Sequence, residues 1–174
     1  MNLYLDVVEL IDLRSFSNLW YWIMLAIMWS RASHWVIGVP FDLVLRARRQ
    51  GGALQSDVEA MVGIQSRRLL YFSAKMGMLP VAFLSFAVTC LSILAVVYDV
   101  EFAQAVLLLL LPMATLSAMS VRTARLITVT ESTGDALHQR LSRHRFATQL
   151  LGILSIFVTA IFGMYQNLHT SVLG

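Results

Sequence analysis

The chain has 174 residues, enough for about one domain, and 58% of them are hydrophobic while only 13% are charged. Soluble domains carry about 25% charged residues, so this composition, with its mean hydropathy of +0.72, excludes a protein whose surface faces mainly water. The formal charge of +3 alone would fit nucleic acid or an anionic surface, but the basic residues flank apolar segments, which points to lipid headgroups and not to nucleic acid.

Residues 1–14 carry Asp6, Glu9 and Asp12, where a cleavable signal needs a basic start and an apolar core. Set at helical spacing against Leu3, Val7, Val8, Leu10 and Ile11, these acids predict a short amphipathic helix on the outer interface. Ser15 or Ser17 can cap the helix that follows.

About 20 apolar residues cross a hydrocarbon core of roughly 30 Å. Residues 16–37 are read as span one, rich in aromatics and interrupted by Arg31 and His34 near its exit end, where an arginine can snorkel to the interface. A re-entrant or interfacial helix is the alternative. Arg31 and His34 are the only ionisable side chains in an apolar span, spaced to share one face, with Trp35 beside them. A charge at membrane depth costs about 2.5–3.5 kcal/mol on insertion scales. These three residues are therefore a candidate contact for an anionic lipid or a quinone headgroup. The plainer reading has Arg31 snorkelling to phosphates and His34 anchoring at the interface. Gly38 and Pro40 end or kink the span.

Residues 41–76 read as a basic hairpin: a short interfacial helix to Arg49, a turn at Gln50-Gly51-Gly52, and a capping box at Ser56-Asp57-Val58-Glu59. The helix after the box can run on through Arg67, Arg68 and Lys75 into span two as one rod. Arg46, Arg48, Arg49, Arg67 and Arg68 form the candidate basic face. Spans two and three, residues 77–98 and 102–121, carry no charge and are joined only by Asp99-Val100-Glu101, a link that forces antiparallel neighbours. Pro112 is expected to bend span three.

Residues 122–145 form a second basic turn, with Ser132-Thr133-Gly134-Asp135 reversing the chain and a basic helix from about Ala136 leading into span four, residues 146–165. Residues 166–174 are an outer tail. Small residues at four-residue spacing, Ser155, Thr159 and Gly163 in span four and Ser85 with Thr89 in span two, predict packing faces. The matching plan of the two hairpins fits a weak internal duplication, or simply the sorting of positive loops to one side.

Orientation follows from the bases. Six lie between spans one and two and five between spans three and four, which together make eleven of thirteen. Loops rich in lysine and arginine stay cytoplasmic, so both termini are expected outside, in the periplasm of a bacterium whose inner membrane holds the chain.

Reactive constellations are sparse. Cys90 is the sole cysteine, so neither an internal disulfide nor a thiolate metal cluster is expected. The sequence lacks a phosphate loop, HExxH and GxSxG, and no carboxylate at membrane depth suggests a proton pump. Haem would need two facing histidines at one depth, and only His34 and His144 share a level. No catalytic, cofactor-binding or metal residue is assigned.

Residues 10–49, LIDLRSFSNLWYWIMLAIMWSRASHWVIGVPFDLVLRARR, with the following RRQGG and the later VEFAQAV and RTAR, carry a resemblance. The chain resembles a family of small integral membrane proteins from photosynthetic-type and marine alphaproteobacteria, whose members are labelled components of the SufBCD iron–sulphur assembly complex. The resemblance covers most of the chain. It implies a membrane anchor or an associated protein and transfers no functional residue.

The expectation is thus an all-α, polytopic protein of four transmembrane helices in an antiparallel bundle with helical cytoplasmic extensions. It would be non-enzymatic, without a cofactor, and would anchor or stabilise a larger assembly through a protein partner and anionic headgroups of the inner leaflet. A small oligomeric transporter or channel with a path near Arg31 and His34 is the alternative. A lipid- or quinone-modifying enzyme would need a nucleophile–base pair that the sequence does not display.

Overall fold

The computed structural model describes residues 19–172, with side chains described through residue 168. The helix expected at 1–14 and the caps expected at Ser15 or Ser17 lie outside the described residues. Within them the protein is all-α, with six helices and one minimal β-hairpin.

Helix α1, Leu19–His34, is an apolar, aromatic-rich run with Arg31 and His34 in its last turn, where positive charge complements the helix dipole. It stops earlier than the expected span 16–37. Strands β1 (Trp35–Val36) and β2 (Val39–Pro40) replace its final turn, pairing Trp35 with Pro40 and Val36 with Val39. The two central residues, Ile37 (φ 48) and Gly38 (φ 74), both take positive φ, as a tight two-residue hairpin of the primed type requires. Glycine adopts this freely. Ile37 is held there because its side chain is buried in the apolar core.

Helix α2, Phe41–Gln50, buries Phe41, Val44 and Ala47 at three-residue spacing and points its arginines outward. Gly51 and Gly52, both at positive φ, turn the chain into α3, Gly52–Met76. This helix does not continue as a rod into the next span. It ends at Gly77 (φ 57), and α4 restarts at Leu79–Val96 with Pro80 in its first turn. A short link containing Asp99 at positive φ leads to α5, Glu101–Val129, which passes through Pro112 as one helix. The second reversal falls at residues 130–133, slightly before the expected Ser132–Asp135, and α6 then runs unbroken over Gly134–Val172. The segment expected as an outer tail therefore continues the helix to Val172.

Helix α5 is the centre of the fold, packing on α3, α4 and α6, while α2 lies on α3 and α1 on α6. Three helices, α4, α5 and α6, are long and apolar enough to cross a membrane. Little of their apolar length is covered by protein. Phe83 and Phe86 of α4 are 74% and 68% exposed, far beyond what water tolerates as a continuous surface. Helix α1, with 16 residues, rises about 24 Å and is not among these three.

The tightest packing lies elsewhere. Val36, Val39, Phe41, Val44, Val58 and Val62 meet Ile127 of α5 and Leu137 and Leu141 of α6 in one apolar core. That core sits at the arginine-rich end of the molecule, built by the hairpin, α2, α3 and the adjoining ends of α5 and α6. The basic segments expected as helical extensions thus pack together as a cap.

Candidate functional site

The cap is assembled from local rules. Phe41, Val44 and Ala47 on one face of α2 meet Val58 and Val62 on α3, so the remaining faces carry Arg46, Arg48 and Arg49, and Arg67 and Arg68, all exposed. The five arginines of the candidate basic face therefore stand on one packed two-helix unit. The Arg68 guanidinium lies 5.7 Å from the centre of the Phe72 ring. Arg145 behaves differently: its guanidinium sits 4.0 Å over the Phe41 ring and fastens α6 to α2 as a cation–π contact.

A polar latch closes the cap across α3 and α6. Glu59 Oε1 accepts from the Gly134 amide at 2.8 Å and from Gln55 Nε2 at 2.7 Å. Gln55 Oε1 in turn accepts from Nε2 of the buried His138 at 2.8 Å. The expected capping box is not formed. Because α3 already starts at Gly52, Ser56 is inside the helix and bonds the Ala53 carbonyl, and Glu59 caps the start of α6 in place of its own helix. The Gly134 amide, helped by Gln55, holds the Glu59 carboxyl below the usual carboxylate range.

Arg31, His34 and Trp35 lie together at the cap end of α1. Arg31 and His34 are exposed at the end of α1, and His34 Nε2 lies 4.0 Å from Asp42 Oδ2. Trp35, 45% exposed, stands edge-on to His34. It lines a cavity of about 390 Å³ with Arg68, Gln65 and Phe72. Gly38 closes that side, for a Cβ there would come 3.2 Å from Gln65 Cδ. His144, the possible haem partner of His34, is buried and turned to α5, with Nδ1 at 3.1 Å from Thr123 Oγ1 and Nε2 at 3.5 Å from Ser120 Oγ. Thr123 and Ser120 donate their own protons to the Met119 and Leu116 carbonyls, so the His144 ring faces two hydroxyl oxygens of α5. The two histidines are engaged separately. Among the described residues no three His, Cys, Asp or Glu side chains gather as a metal-ligand set.

Two packing features bear on the membrane half. Gly152, Ser155, Thr159 and Gly163 are buried along one line of α6, so the small-residue face expected there is used. Trp29 lies directly on it, and a Cβ on Gly152 would come 2.9 Å from Trp29 Cε3. Ser85 and Thr89 are exposed instead, the Thr89 hydroxyl bonding the Ser85 carbonyl, which corrects the packing face expected on α4. At the end remote from the cap, Gln104 is buried and donates to the Ala95 carbonyl and to Asp99 Oδ1, while Gln166 donates to it. Sequence reading overlooked this knot. An uncharged glutamine within an otherwise apolar run was its one signal.

No family model matches the chain, and neither a curated protein nor a solved structure matches it.

Proposed function

We propose that the chain is an integral membrane protein of four spans in an antiparallel bundle, with the basic cap in the cytoplasm and both termini on the other side of a bacterial inner membrane. In this reading α1 is the fourth span. Its 16-residue helix rises about 24 Å, and its arginine sits at the exit end, where snorkelling keeps the guanidinium wet. Eleven of thirteen bases on the cap side support the orientation.

We further propose that the protein catalyses nothing and serves as an anchor on which a larger assembly docks. The observation that carries this reading is the location of the core. The membrane segments are loosely covered by protein, whereas the cap is packed and holds Arg46, Arg48, Arg49, Arg67 and Arg68 outward on a fixed frame. An interface gains from such preorganisation, since less ordering is left for binding. A partner with an acidic face fits it. The resemblance of residues 10–49 would make a soluble Suf-type ATPase and scaffold machinery the first partner to examine.

The test is purification of the full chain from its native membrane in mild detergent. A protein that co-migrates with the wild type is expected to be lost from the Arg46→Glu/Arg48→Glu/Arg49→Glu variant, with the variant's own elution unchanged. A wild-type chain that elutes as a bare monomer would overturn the docking role.

A further inference from the structure

The groove between α4 and α5 takes no part in the cap core or in the packing of α6. It encloses about 710 Å³ between Phe83 and Leu84 on one wall and Leu110, Ala114 and Ala118 on the other. Arg122 and Arg125 close its end nearest the cap. The groove exists because α4 is buried only at Ala95, near its far end, and because small residues on α5 leave the facing wall low. That wall is apolar: the Ser117 hydroxyl is spent on the Met113 carbonyl at 2.9 Å.

We propose that this groove binds one anionic diacyl phospholipid of the leaflet at the basic end, with an acyl chain in the groove and the phosphate on Arg122 and Arg125. Three observations carry the assignment. The two arginines are three residues apart on one helix face, both exposed, and among the described residues neither has a carboxylate partner. Guanidinium groups so placed suit phosphate oxygens in forked geometry. The depth also fits. Leu110 and Arg122 are twelve residues apart, or about 18 Å along a helix, close to one leaflet's share of a roughly 30 Å hydrocarbon core. Finally, the charge lies at only one end of an otherwise apolar groove, which is the layout of a lipid and not of a soluble anion.

The site rests on the membrane placement proposed above and does not depend on the docking partner. It is tested with the full chain in mild detergent by native mass spectrometry, titrating phosphatidylglycerol against phosphatidylcholine of the same acyl chains. Phosphatidylglycerol adducts should form at roughly tenfold lower lipid concentration. Arg122→Ala/Arg125→Ala should abolish that preference, and Arg122→Lys/Arg125→Lys, which keeps the charge but not the fork, should retain only part of it. Ala118→Phe, which fills the groove but keeps both arginines, should remove the adducts, while circular dichroism and elution confirm the folded chain. Equal binding of the two lipids would overturn the assignment, as would an unchanged Arg122→Ala/Arg125→Ala variant. Displacement of the lipid by inorganic phosphate alone would show an ion site instead. A shift from dimer to monomer on Ala118→Phe would show that a second copy fills the groove. Wrong membrane placement would appear separately, in the labelling of loop cysteines.

Discussion

Glu59 shows how one side chain can hold two distant helices while looking like something else in the sequence. Ser56 and Glu59 have the spacing of a capping box, yet the carboxylate reaches across to the Gly134 amide at the start of α6. The box does not form because the glycine turn at Gly51-Gly52 lets α3 begin five residues earlier, a choice set by backbone freedom and not by the serine. The consequence is testable. The folded-state pKa of Glu59 is depressed, so its contribution is fully present above the unfolded carboxyl value of about 4.3 and is lost as pH falls through the lower folded value. Glu59→Gln should cost about 1 kcal/mol at neutral pH, the typical loss of a helix cap. It should also remove part of the acid dependence of unfolding, read by thermal melts in detergent between neutral and acid pH. An identical acid profile in wild type and variant would contradict the latch.

At the scale of elements, legibility followed the range of the contacts. Ser155, Thr159 and Gly163 could be read as a buried face because the regular spacing lies on a long helix with a neighbour on that side. Ser85 and Thr89 have the same spacing on α4, but their side of that helix meets no protein and the Thr89 hydroxyl turns back to its own backbone. Spacing marks a face; it does not say which faces are used. The break at Gly77 and the hairpin at Ile37-Gly38 were hidden for a related reason. Glycine and β-branched residues inside apolar runs are compatible with a continuing helix; at Ile37-Gly38 contacts to Gln65 and the cap core select the turn, while at Gly77 the break is the positive φ that glycine adopts freely. The junction of α1 and α6 gives a direct test. Gly152→Ala places a methyl group against the rigid Trp29 indole and should cost about 1–3 kcal/mol, as overpacking does. It should lower the melting temperature in detergent, and Trp29→Leu in the same chain should recover part of the loss. No change on Gly152→Ala would mean that α1 does not pack there.

Across the whole molecule, apolar length and tight packing are divided between the two ends. The membrane half leaves its large apolar side chains facing outward, where lipid supplies the solvent they need. The basic end buries a compact core of its own. Composition announced the first half plainly, since charge-free runs of 20 residues have few other uses. It could not announce the second, because the cap core joins residues from four helices and a hairpin that lie up to about a hundred positions apart. This division is what makes an anchor with a rigid cytoplasmic platform the central claim.

That claim is tested most directly by the sidedness of three positions, each carrying a single cysteine in a Cys90→Ser background. The positions are Asn2→Cys, Asp99→Cys in the α4–α5 link, and Ser132→Cys in the α5–α6 turn. A membrane-impermeant thiol reagent applied to intact cells should label positions 2 and 99, and should reach position 132 only after the membrane is opened. Labelling of positions 2 and 132 from the same side would mean that α1 does not cross, and would contradict the four-span anchor.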